Sequence, residues 1–210
     1  MKNILFLILI LSCQKNIETD RNIEHSVENV DVQNNFDNWQ KGFELTHNID
    51  IDTIWNKPVR FYLENKNCNP TAKDFYFGKY RPYDEPKTAE LLALITTDDD
   101  NLRPFYRWIL NKTILIQDGA LGEYTGVPAR KYAEKYPTEF FEYMDYDKSG
   151  DKYLDWTNSI SYSGMYDLDD YKNSKKMRKY LSSKMKSNCK NCDDKMKPRI
   201  EKFANDCFPD

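Results

Sequence analysis

Beyond roughly the first forty positions, apolar residues along this chain recur at helical rather than strand spacing. In "KTAELLALITT", Ala89, Leu92, Ala93 and Thr96 fall on one helical stripe, with Thr88 placed as an N-cap. Asp98-Asp99-Asp100-Asn101 then breaks and caps. Pro104 suits the first turn of a second helix carrying Phe105, Trp108, Ile109, Lys112 and Ile116, with Gly119 as its end. Pro128 is expected to open a third, striped by Ala129, Tyr132, Ala133 and Tyr136, and Pro137 to close it and start "PTEFFEYM". Further helices fit "KYLDWTNSISY", "SKKMRKYLSSKMKS" and "KPRIEKFAND". Pro and Gly are expected at helix edges throughout, not inside. Only "RFYLEN" and "FYFGKY" could form short strands, giving at most one β-hairpin near 58–80. The pattern predicts an all-α fold of six to eight short helices in hairpin pairs. These stack as an irregular α-α superhelix or gather into a compact bundle.

The start of the chain has a different pattern. One lysine, Lys2, precedes eight unbroken apolar residues, Ile4 to Leu11, and then Ser12 and Cys13. A membrane-spanning helix needs about 20 residues, whereas a basic n-region followed by a short apolar run has the form of a secretory signal. Ile10-Leu11-Ser12 before Cys13 resembles the lipobox of bacterial lipoproteins. The resemblance covers about the first fifteen residues. It implies a signal peptide over residues 1–12, cleavage before Cys13, and acylation of that cysteine, with the membrane as partner through the lipid. Bacterial lipoproteins carry several acyl chains, as stable anchoring requires. Gln14 follows the cysteine, where an aspartate would resemble the inner-membrane retention signal of enteric bacteria. Its absence favours the outer membrane. "CQKNIETD" is also similar to the lysine-then-acidic surface-export signal of Bacteroidota lipoproteins.

Composition sharpens this organisation. Residues 13–35 are polar and weakly patterned and read as a flexible tether; a single helical domain is expected over 36–210. With 15 Tyr and 11 Phe against 7 Gly, the chain can build a core. The net charge of −3 hides a segment, 171–202, with twelve Lys/Arg and three Asp/Glu. That basic end could meet lipid phosphates or complement the acidic body. Nucleic acid is excluded as a partner for an exported, tethered chain.

Candidate chemistry is sparse. Cys68, Cys189, Cys192 and Cys207 are disulfide candidates with three possible pairings. A helix over most of 193–206 would hold Cys192 and Cys207 about 20 Å apart. That favours Cys68–Cys207 with a local Cys189–Cys192 bridge. "CKNC" as a redox pair, or all four cysteines around zinc, are the sharper alternatives. Asp145, Asp147, Ser149 and Asp151, with Gly150 at position six, resemble the first half of an EF-hand calcium loop. The second half departs from it, because Trp156 stands where the bidentate Glu belongs. Apart from that zinc alternative, calcium is the one cofactor the sequence suggests.

No G-x-S-x-G, Walker loop, H-E-x-x-H or G-x-G-x-x-G occurs, and the two histidines, His25 and His47, form no metal-binding pair. Ser163-Gly164 lacks the glycines of a nucleophile elbow. Glu139, Glu142 and Asp145, one helical turn apart, could do acid/base work. The sequence supports a non-catalytic binding or structural protein of the envelope with an envelope protein partner. The alternatives are an inhibitor or immunity-type lipoprotein and an envelope enzyme.

Overall fold

A computed structural model describes residues 39–169, 172–190 and 192–209. The signal-like run, Cys13, the tether and His25 lie outside them. The described residues belong to one compact unit, Phe36–Asp210.

The unit is mostly helical. A two-residue-strand hairpin, β1 (Thr53–Ile54) and β2 (Lys57–Pro58), pairs antiparallel with Thr53 opposite Pro58. Two short helices follow, α1 (Val59–Leu63) and α2 (Pro70–Tyr76). Next come α3 (Pro86–Ala93), a single 3₁₀ turn (Leu94–Thr96), α4 (Arg103–Ile116) and α5 (Gly119–Lys135). The chain finishes with α6 (Pro137–Tyr146), α7 (Asp151–Ser163), α8 (Ser174–Asn188) and α9 (Met196–Cys207). No described helix is long and apolar enough to cross a membrane.

Local chemistry explains most boundaries. The Asn69 side chain accepts from Thr71 N (2.8 Å) at the start of α2, Asp118 from Leu121 N (2.9 Å) at α5, and Asn173 from Lys176 N (3.0 Å) at α8. Each satisfies an N–H that the helix leaves unpaired, worth about 1 kcal/mol. Along α8, Met177, Leu181 and Met185 are buried on one stripe while the lysines stay outside, as amphipathic spacing requires.

Helix α5 packs against α3, α4, α6, α7 and α8, so the arrangement is a bundle gathered on one helix rather than a stack of hairpins. The core is aromatic: Tyr62, Phe75, Phe105, Tyr132, Phe140 and Trp156 are all fully buried. Their rings meet tilted, as at Phe140–Phe203 (centroids 4.7 Å), edge-on, or stacked, as at Tyr62–Phe105 (5.4 Å).

Five expectations are corrected. "RFYLEN" lies largely in α1 and the start of "FYFGKY" in α2, and the only described strands are β1 and β2, upstream of most of the expected hairpin region. Helices number nine among the described residues. Thr88 does not cap α3; it is fully buried, donating to Tyr83 O (2.7 Å) and bonded to Tyr80 OH (2.8 Å). Gly119 starts α5 rather than ending α4. Finally, Pro128 lies inside α5, as do Gly122 and Gly126. Proline there removes one i→i−4 hydrogen bond, and the packing of α5 on five other helices holds the helix together regardless.

Candidate functional site

A cleft of about 600 Å³ lies where the hairpin meets α4, α6 and α7. That volume is in the range of small-molecule sites. The hairpin contributes Trp55 on a two-residue turn whose central residues, Trp55 and Asn56, both have positive φ (50° and 61°). Such turns usually carry Asn or Gly there. A bulky residue in that seat costs roughly 1–3 kcal/mol, so the tertiary structure is holding Trp55 in place. Glu44, also at the cleft, has φ 58°.

One face of α4 supplies Arg107, Trp108, Asn111 and Lys112; α6 supplies Tyr143 and Tyr146, and α7 supplies Lys152. Arg107 is 1% exposed. Its guanidinium carbon lies 4.2 Å from the Trp55 ring centroid and 4.1 Å from that of Tyr143. Lys152 Nζ in turn lies 4.2 Å from the Tyr143 ring. Trp55, Arg107, Tyr143 and Lys152 thus form an alternating ladder of rings and cations, attractive through the ring quadrupoles.

Behind the ladder, Arg107 Nη1 donates to Tyr132 OH (2.9 Å) and Glu139 Oε1 (3.0 Å). Glu139 Oε2 accepts from Arg103 Nε (2.8 Å), and Tyr132 OH donates to Glu139 Oε1 (2.9 Å). The other edge of the same guanidinium, Nε and Nη2, has no hydrogen-bond partner and is out of contact with solvent. Arg107 lines the cleft, whereas Tyr132 and Glu139 do not. Buried polar groups are nearly always paired, and an unpaired one costs about 1–3 kcal/mol.

The charges around the cleft follow from burial. Desolvation pulls the Lys112 ammonium below its usual range, with Glu44 opposing. Desolvation does the same to Lys152, opposed by Asp147 and reinforced by Arg107 and Lys112. For Asp52, burial pushes the carboxyl up, but the combined hydrogen bonds outweigh it and hold the group ionised below its usual range. Those bonds come from Thr46 Oγ1 (2.7 Å) and N (2.9 Å), Tyr76 OH (2.7 Å) and His47 N (3.0 Å). Asp52 therefore anchors the 46–52 loop that forms one wall. His47, singled out by type alone, also has positive φ (57°) and bonds Gln40 Oε1 through Nε2 (2.8 Å); it serves the same wall.

The residues singled out in the sequence are dispersed by the fold. Asp145 turns away from its loop to a bidentate pair with Arg199 (2.6 and 3.0 Å). Asp147 accepts from Ser149 N (3.2 Å), Ser149 Oγ (2.9 Å) and Lys152 N (2.9 Å), closing the turn before α7, with Gly150 at φ 84°. Ser149 Oγ also accepts from Asp151 N (3.2 Å). Asp147 and Ser149 thus organise a helix–helix turn while Asp145 pairs with Arg199, and no group of three acidic, histidine or cysteine side chains among the described residues is placed to hold a metal. The four-cysteine zinc reading is corrected by the pairing of Cys189 with Cys192.

Cys189 and Cys192 are joined by a disulfide with Cα atoms 5.3 Å apart. The favoured Cys68–Cys207 bridge is absent: both are free buried thiols. Cys68 precedes α2 near Tyr106, whereas Cys207 ends α9, so they occupy separate parts of the core. Cys189 is the C-cap of α8, the negative end of the helix dipole. Low thiol pKa values arise at the opposite, N-terminal end, so the α8 dipole does not activate this pair. Burial pushes the Cys68 thiol up to about 11 and that of Cys207 well above its usual range. Iodoacetamide at pH 8 is therefore expected to leave both unlabelled in the native protein and to label both in urea. Rapid native labelling at either position, read by peptide mass spectrometry, would contradict their burial.

Of the acid/base candidates, Glu139 and Asp145 are engaged elsewhere. Glu139 sits between Arg103 and Arg107, Glu142 is exposed, and Ser163 Oγ donates to Gly122 O (2.7 Å) and accepts from Gly126 N (3.0 Å) in the α5–α7 seam. Sequence reading missed Arg107, Lys112, Lys152 and Trp55, which are 97 residues apart at the extremes. The one local sign was "IWNK", a Trp-Asn pair between two β-forming positions. No family model, curated protein or solved structure matches the chain.

Proposed function

We propose that this chain is a lipid-anchored protein of the bacterial cell envelope that works by binding rather than by catalysis, with the Arg107 cleft as its binding site. The observation that carries the binding reading is the buried guanidinium with two unpaired N–H groups, walled by rings on a strained turn. Uncompensated polarity and backbone strain together cluster at ligand sites. The anchor rests on Ile4–Leu11 followed by Ser12-Cys13, the lipoprotein-like start of the chain, and the outer membrane on Gln14.

Two measurements test the two halves. Cells fed a clickable palmitate analogue should label the protein, and Cys13→Ser should lose both label and membrane fractionation; label retained by Cys13→Ser removes the anchor. For binding, the detergent-solubilised protein is captured from its own envelope, and co-purifying proteins and small molecules are identified by mass spectrometry. A near-stoichiometric companion that is lost with Trp55→Gly supports the reading. Glycine accepts the positive φ without strain, so this variant removes the ring and keeps the turn. No companion above background counts against it.

A further inference from the structure

We infer that the Arg107 cleft takes a carboxylate monoanion carried on a flat apolar body; this rests on the binding reading above. The Nε and Nη2 groups of one guanidinium are coplanar and parallel, the fork that matches the two oxygens of a carboxylate. This chain uses that same edge elsewhere: Arg60 grips Asp50 through Nε (2.5 Å) and Nη2 (2.7 Å). On Arg107 the fork has no protein partner.

The charges at the cleft admit no more than a monoanion: Arg107, Lys112 and Lys152 line it together with Glu44 and Asp52, and Asp147 adds a negative charge beside Lys152. Glu139 behind Arg107 is shared with Arg103, which also pairs with Asp100. A dianion such as phosphate would meet the Asp52 carboxylate, which its hydrogen bonds keep ionised. The walls select the body: Trp55, Trp108, Tyr143 and Tyr146 line the cleft, aromatic groups suited to a flat apolar partner. Because the fork is shielded from solvent, a carboxylate reaching it displaces a ring. Trp55, on the turn with two positive φ values, occupies the least favourable seat among them.

Calorimetric titration of the full chain in mild detergent with benzoate, benzamide and inorganic phosphate separates the possibilities. Benzoate should bind saturably, with benzamide at least about ten-fold weaker, because it lacks the second acceptor oxygen and the charge. Arg107→Lys keeps the charge and removes the fork, and should weaken benzoate about ten-fold or more. Should that variant fail to fold, Lys152→Gln, at the cleft but outside the buried network, should weaken benzoate and leave benzamide unchanged. Equal affinity for benzamide, tighter binding of phosphate, or no saturable heat from benzoate up to about 10 mM overturns the inference. Those results leave the binding reading standing as long as envelope capture still yields a companion dependent on Trp55; the absence of that companion fails the binding reading itself.

Discussion

Replacing Glu139 with glutamine is expected to lower stability by about 3–5 kcal/mol, the cost of leaving buried charge without its partner. Its carboxylate is the shared counter-ion of Arg103, 8% exposed, and Arg107, 1% exposed. Arg103 retains Thr97 O (2.9 Å) and an ion pair with the exposed Asp100. Arg107 retains only the Tyr132 hydroxyl and its stacked rings. Glutamine preserves the shape but presents an amide N–H₂ toward groups that donate. In a unit of this size the loss corresponds to a drop in Tm of roughly 6–20 °C. Glu142→Gln, three residues along the same helix but exposed, is the control and should be silent. Scanning calorimetry of the two variants decides the matter: a Glu139→Gln Tm within about 2 °C of the parent protein would mean the arginines do not depend on it.

Gly126→Ala is expected to cost about 3 kcal/mol or more, at the upper end of core overpacking. Gly126 lies on the face of α5 that meets α7. A Cβ there would come within 2.5 Å of Gly164 N and closer still to Ser159 O and Ser163 Oγ. Two of those atoms belong to backbone, so no side-chain rotation relieves the clash and the helices must part. Parting them also breaks the Gly126 N–Ser163 Oγ bond (3.0 Å) and the Thr125–Ser159 hydroxyl bond (2.7 Å) that tie the seam. Gly119→Ala, at the first residue of the same helix with nothing within 4 Å of the added methyl, should be neutral or slightly stabilising. Urea unfolding would show the contrast as a large fall in midpoint for Gly126→Ala alone; equal midpoints for the two would disprove the close approach.

Both substitutions act at positions whose importance appears only in three dimensions, and the same division runs through the fold. The long helices α4, α6, α7, α8 and α9 were legible because ten or more residues with apolar spacing near 3.6 leave little choice of structure. Pro104 and Pro137 marked helix starts for a local reason, since their missing N–H groups fall where no intrahelical acceptor exists. The five- and seven-residue helices α1 and α2 were misread because short aromatic runs satisfy strand and helix patterns alike. Pro128 and Gly126 inside α5 contradict local preference, which yields where surrounding helices supply the stabilisation.

By itself the sequence determined the helical class, the main helix starts and the aromatic core, because each depends on neighbours along the chain. Only the tertiary structure decided which cysteines pair, where the acidic loop spends its oxygens, and that Trp55, Arg107, Tyr143 and Lys152 form one ladder. Those outcomes depend on distances between residues far apart in the chain, and no periodicity encodes such distances.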